Sequence, residues 1–273
     1  MMLCLEANGS DWDIGDQPQN SLGVSAGYGD ELIKGIDLVL ALPFMAELRA
    51  DYAQSDLEVG NDTQSFDRYY VSISSDPLAN WSLSADYTYS GNDDTLETKD
   101  LGVAVQYYPG KWLLKARYLE GDTEIFPRQE AIDFGLVRRT SVEMERDATE
   151  LTFQYFYNNW VWTVTGSNYS YSSRFNVDPS TPRTRLILGD ASLQQLFGLL
   201  DWYASLEAGY SKGNHLWQLG YASYELELSG DEGKSPYAFW GYSLNETLSV
   251  GILGALGLDD SDHYGEISLR FHF

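Results

Sequence analysis

The chain has 273 residues, enough for one large barrel or two ordinary soluble domains. Seventeen basic against 41 acidic side chains leave a formal net charge of −24, which argues against a nucleic-acid partner because phosphate binding needs a basic face. No stretch approaches ~18 consecutive apolar residues, so a transmembrane helix is excluded, but a membrane barrel crosses with ~10-residue alternating strands whose hydropathy signal is weak.

The chain opens on Met1-Met2-Leu3-Cys4-Leu5-Glu6-Ala7. This is too short for a signal peptide and lacks a basic start, so it reads as the remnant of one. Residues 1–18, with Asp11, Asp13, Asp16 and Pro18, form a loose lead-in, and 19–273 form one domain. Cys4 is the single cysteine, so no internal disulfide is available.

From there, apolar residues alternate with polar ones, the period of a strand with one greasy face. The runs begin with Leu22/Val24/Ala26/Tyr28, Ile36/Leu38/Leu40/Leu42 and Phe44/Ala46/Leu48/Ala50/Tyr52. Tyr69/Val71/Ile73, Trp81/Leu83/Ala85/Tyr87/Tyr89, Leu101/Val103/Val105/Tyr107 and Trp112/Leu114/Ala116/Tyr118 follow. After a gap come Leu151/Phe153/Tyr155/Tyr157 and a run from Trp160 to Tyr171 whose facing stays open. The series ends with Ala204/Leu206/Ala208/Tyr210, Trp217/Leu219/Tyr221, Tyr237/Phe239, Leu248/Val250/Ile252/Leu256 and a terminal strand. About fourteen strands result, with 12–16 as the range.

Links between the runs alternate in length. Tight ones carry Pro, Gly or Asn, as at Pro43, Pro109-Gly110, Asn158-Asn159 and Gly213-Asn214. Longer acidic ones span about 54–64, 91–98, 121–147, 173–200, 228–235 and 257–262. Short turns on one side and long loops on the other are the layout of an up-and-down membrane barrel. An even strand count then puts both termini with the short turns, the periplasmic side. Twenty Tyr and eight Trp suit the wet–dry boundary of a bilayer, although a Tyr-rich soluble sandwich would use them too.

The last strand alternates Ile267, Leu269, Phe271 and Phe273 with Glu266, Ser268, Arg270 and His272. It resembles the C-terminal strand of bacterial outer-membrane β-barrels. That resemblance implies an all-β, single antiparallel transmembrane barrel in the outer membrane of a Gram-negative cell. It also implies that Phe271 and Phe273 serve as a signal to the barrel-assembly machinery.

If the apolar sets face lipid, Glu47, Arg49, Asp51, Arg68, Asp86, Lys115, Arg117, Glu150, Glu207 and Arg270 face the lumen. Lys111 and Glu266 join them by the same spacing. A charge on the lipid face costs ~2–4 kcal/mol for Arg or Lys at mid-membrane. The mixed signs permit two uses: cross-strand pairs that brace the wall, or a field acting on a charged solute. Within 190–200, Leu193, Leu196, Phe197 and Leu200 are spaced as one helical face and form a candidate constriction. The alternative is that Leu196–Leu200 extend the next strand.

Catalytic chemistry finds little purchase. A serine hydrolase needs a histidine to take the proton, and only His215, His263 and His272 exist. His263, in Asp259-Asp260-Ser261-Asp262-His263, is the one at the loop side, so an outer-leaflet hydrolase centred on it is the enzymatic alternative. Asp259, Asp260 and Asp262 are weak candidates for loop-bound Ca²⁺ or Mg²⁺, and no other cofactor is indicated. The expected function is passive passage of small polar or charged solutes. A closed structural or adhesive barrel acting through loops 121–147 and 173–200 is the alternative. The outer-membrane lipid is the expected surroundings, so the folded chain should be monodisperse only in detergent or lipid. Size-exclusion chromatography with and without micelles checks this, and a folded, monodisperse species in plain buffer would overturn the membrane assignment.

Overall fold

A computed structural model describes residues 20–29, 32–42, 46–59, 62–75, 80–92, 95–126, 142–172, 199–227, 230–258 and 263–273. Fourteen strands follow in chain order: β1 Ser21–Tyr28, β2 Leu32–Leu42, β3 Ala46–Val59, β4 Asp62–Ser75, β5 Trp81–Asn92, β6 Leu96–Tyr107 and β7 Trp112–Ile125. Then come β8 Val142–Tyr157, β9 Trp160–Tyr171, β10 Leu200–Lys212, β11 His215–Leu226, β12 Glu232–Asn245, β13 Leu248–Leu256 and β14 His263–His272. Each pairs antiparallel with its neighbours in sequence, and β1 pairs with β14 to close the barrel. The fold is therefore the single up-and-down antiparallel barrel expected from the alternation.

The alternation puts the apolar sets outside. Leu83, Leu101, Leu151, Leu219 and Ile267 are each exposed, as a lipid-facing wall requires. At the end with the short turns, outward rings form a belt. Trp81 meets Tyr107 at 4.4 Å between centroids, Trp112 meets Tyr155 at 4.5 Å and Trp160 meets Tyr210 at 4.7 Å. Nearer the other end, outward rings hydrogen-bond to carboxylates. Tyr52 donates to Asp67 (2.8 Å), Tyr118 to Asp147 (2.8 Å) and the Trp202 indole to Glu225 (2.8 Å). Rings with one dry and one wet end mark the two boundaries of the apolar band. Tight turns follow the sequence signals: Asn158 (φ 53°) and Gly213 (φ 60°) take the left-handed conformation that two-residue hairpins demand.

Three sequence expectations change, and one open facing is settled. The acidic stretches 54–64 and 91–98 are mostly strand, and so is the second half of 228–235: β3 runs to Val59, β4 begins at Asp62 and β12 begins at Glu232. Likewise β7 reaches Ile125 and β8 starts at Val142, which shortens the 121–147 link. Charge on both faces hides a strand where water lies on both sides. In β12 the lipid-facing set is Pro236, Ala238, Trp240 and Tyr242; Tyr237 and Phe239 point inward, by their register with Gly220 and Gln218. The Trp160–Tyr171 run divides by parity, with Trp160, Trp162 and Val164 outside and Tyr169 and Tyr171 inside. Lys111 lies in the turn, its ammonium 5.4 Å from the ring centre of the exposed Tyr157, and not in the lumen.

Inside, glycines let side chains bridge two strands. Arg146 on β8 and Asp100 on β6 are both level with Gly121 on β7, and their ion pair passes over it. Arg270 on β14 reaches Asp37 on β2 over Gly23 on β1. Arg117 on β7 reaches Asp86 on β5 beside Gly102 on β6. A Cβ on any of these glycines would overlap the carboxylate. Gly121→Ala should therefore lower the unfolding free energy by about 1–3 kcal/mol, the cost of an overpacked site. Gly166→Ala, with nothing within 4 Å of the added carbon, should change it by less than about 0.5 kcal/mol. Urea titration of tryptophan fluorescence in lipid vesicles makes the comparison.

Candidate pore lining

The register places all ten candidate lining residues on the inward side. Glu47, Arg49 and Asp51 lie on β3 and Arg68 on β4, out of phase with the exposed Tyr69, Val71 and Ile73. Asp86 on β5, Lys115 and Arg117 on β7, and Glu150 on β8 follow the same phase. Glu207 on β10 and Arg270 on β14 complete the set.

These groups are brought together across strands. The Arg117 guanidinium takes Asp86 through two nitrogens, one at 3.1 Å. Its third nitrogen stands 3.9 Å from Glu150, which also receives Lys115 at 3.8 Å. The Asp86 and Arg117 side chains are 4% and 13% exposed, so this pair is largely shielded from the solvent that would screen it. Its fork geometry adds two charge-assisted hydrogen bonds to the Coulomb attraction. Arg270 donates to Asp37 at 2.8 Å. Glu47, Arg49, Asp51 and Arg68 each engage a partner as well.

Sequence reasoning missed Asp37, Asp100 and Arg146. Asp37 sits between Ile36 and Leu38, and Asp100 immediately before Leu101, so strict alternation marks both. Arg146 was hidden inside a stretch assigned to a loop. Gln218, which carries no charge to mark it in the sequence, is buried and donates its amide to Glu207 at 2.5 Å.

Of the proposed constriction, Leu193, Leu196 and Phe197 lie outside the described residues. Leu200 is the first residue of β10, ahead of a register shift between Leu200 and Trp202, which favours strand extension at that position. Phe271 faces outward and Phe273 is 69% exposed, its backbone N–H donating to Asn20.

The histidines are separated. His263 opens β14 on the outward side, opposite Leu256, while Asp259, Asp260 and Asp262 lie outside the described residues. His215 stacks on Trp217 at the outer belt. His272 Nε2 lies 3.3 Å from the Ser249 hydroxyl, but its Nδ1 is buried without a hydrogen-bond partner. That pair lacks the acid that orients a catalytic imidazole. Among the described residues no group of three or more His, Cys, Asp or Glu is arranged to hold a metal ion.

Fourteen strands ~4.8 Å apart and tilted ~40° enclose a backbone cylinder of radius roughly 14 Å. Closure, apolar exterior and ionic interior together define a β-barrel of the outer-membrane type. Solved structures with this fold include the CymD monoaromatic hydrocarbon channel (10% identity, 98% of this chain and 92% of that one, TM-score 0.57). The NanC porin is similar over 92% of this chain and all of its own, at 8% identity and a TM-score of 0.51. A loop-deletion mutant of OmpT, an outer membrane protein of Vibrio cholerae, matches over 94% and 98% at 12% identity and 0.51. No family model matches the sequence, and no curated protein does.

A double-mutant cycle on Asp86→Asn and Arg117→Gln should give a coupling of about 1–3 kcal/mol, as contacting residues in one network do. Additive single effects in vesicle unfolding would show that the two side chains do not act together.

Proposed function

We propose that this protein is an outer-membrane channel for passive passage of small polar or charged solutes, with its short turns and both termini on the periplasmic side. The observation that carries the reading is the contrast between the two faces of one closed wall. Outside, the strands present Leu, Val, Ile and a belt of rings. Inside, they present Asp, Glu, Arg, Lys, Ser and Thr. Water is the natural filling for such an interior, and a barrel of this strand number is wider than the eight-stranded kind that side chains fill. The porin and channel folds noted above support solute passage as the activity such a wall serves. In this reading the outer belt rests at the bilayer interface, and Phe271 and Phe273 address the assembly machinery.

The braced ion pairs favour one rival, a closed barrel that acts through its outer loops. Conductance separates the two. Purified protein inserted into a planar bilayer should give discrete current steps, and a membrane that holds folded protein yet passes no current would sink the channel reading. Charge selectivity follows from the lining. Arg117→Ser removes one positive charge and uncovers the carboxylates of Asp86 and Glu150. The reversal potential in a KCl gradient should then move toward that of a more cation-selective pore. An unchanged reversal potential would place these groups away from the ion path.

A further inference from the structure

The inner wall is unevenly furnished. Between β2 and β8 the carboxylates of Asp37, Asp86, Asp100 and Glu150 each meet an arginine or lysine. On the side from β10 to β14 the inward wall carries a cluster of rings, and its Arg270 turns across the seam to Asp37. Tyr237 packs with Ala222, Leu253 and Ala255, and Tyr203, Phe239 and Tyr264 pack against that cluster.

Two carboxylates sit in this aromatic wall, and both are held by neutral donors. Glu207 accepts from the Gln218 amide, and the Tyr237 ring crosses Gly220, the residue directly opposite Glu207. Glu266 accepts from the Tyr264 hydroxyl. Neutral donors orient a carboxylate but leave its charge uncompensated. Both side chains are only half-buried, so they are reachable from the lumen.

Gln218 adds an independent sign. It is 2% exposed, and its amide oxygen has no hydrogen-bond partner. The amide orientation is fixed, because turning it would set the oxygen against the Glu207 carboxylate. A buried acceptor left empty costs free energy. Here the empty acceptor belongs to a side chain already bonded to an uncompensated negative charge. Donor-rich cations satisfy both. An alcohol or sugar hydroxyl would fill the carbonyl but not balance the charge. An anion would be repelled. A small hydrated metal ion gains little from surrounding rings, whereas an organic cation gains from their faces.

We infer that the aromatic wall between β10 and β14 is a binding subsite for organic ammonium ions. The ammonium is held by Glu207 with the Gln218 carbonyl, and an apolar or planar body lies against Tyr203, Tyr237 and Phe239. Glu266 with Tyr264 forms a second acidic station on the same wall. The inference rests on the channel reading only in that the solute reaches the wall through the lumen.

The test uses the full-length folded barrel in micelles, with benzylammonium as probe and benzyl alcohol and benzoate as isosteric controls. Saturation-transfer NMR gives the affinities. Benzylammonium should bind at least tenfold more tightly than either control. Glu207→Gln should weaken it about tenfold, and Phe239→Leu should weaken it several-fold if the Glu207 variant does not fold. Glu225→Gln, outside the barrel, should leave it unchanged. Equal affinity for all three probes, or a Glu207→Gln barrel that binds as well as the parent, overturns the inference. Bilayer recordings separate the two proposals. Binding without current steps upholds the subsite and sinks the channel, whereas current steps without an ammonium preference sink the subsite alone.

Discussion

Hydrocarbon offers no hydrogen-bond partner to a peptide group, and each one left unpaired there costs several kcal/mol. The pairing of β1 with β14, from Ser21↔His272 to Tyr28↔Gly265, removes the two edges that an open sheet would present to lipid. Asn20 continues the seam beyond the strands: its carbonyl accepts from Phe273 and its side chain from Ala41. Every other property depends on this closure. Only a closed wall has an inside, and only then does alternation along a strand sort residues between two solvents.

Once closed, the wall must be held at a defined height and cross-section. The rings at the turn end stack on one another around much of the circumference, including Tyr210 on Trp217 and Trp240 on Tyr242. Those nearer the loop end bond upward to carboxylates. The first arrangement sets ring against ring and the second ring against carboxylate, so the two ends are chemically distinct. The interior is fixed differently. Neighbouring strands already share a backbone ladder, so an ion pair between them adds little order. Pairs that skip a strand over a glycine, such as Arg146 with Asp100, tie together elements that the ladder connects only in series.

The strand count, the closed architecture and the inward phase of the charged set were legible because each strand carries its own period-two contrast. Where that contrast fails, so does the reading. In β12 both faces carry rings, with Trp240 and Tyr242 outside and Tyr237 and Phe239 inside, so spacing alone picked the wrong face. In β3 and β8 the outer ends carry charge on both faces, and Asp56 and Glu145 looked like loop residues although both are paired strand positions. Partner choice was beyond reach for another reason. Asp100 and Arg146 are 46 residues apart and meet only through the register of two hairpins. Likewise the neutral surroundings of Glu207 depend on Gln218 and Tyr237, contributed by two further strands.

The asymmetry of the interior follows from the same economy. Bridging across a strand needs a long cation, a short acid and a glycine between them, and the sequence supplies that set mainly along β5–β8 and at the seam. On β10–β12 the glycine opposite Glu207 is Gly220, and the group that crosses it is the Tyr237 ring instead of an arginine. A ring spans the same gap and braces the wall by packing. It supplies no positive charge, however. Replacing arginine by tyrosine in an otherwise repeated arrangement therefore preserves the architecture and changes the electrostatics: one side of the lumen is neutralised, and the other keeps a carboxylate beside the π-faces of rings. The inner surface is therefore two different surfaces, one of paired charges and one of rings with carboxylates among them.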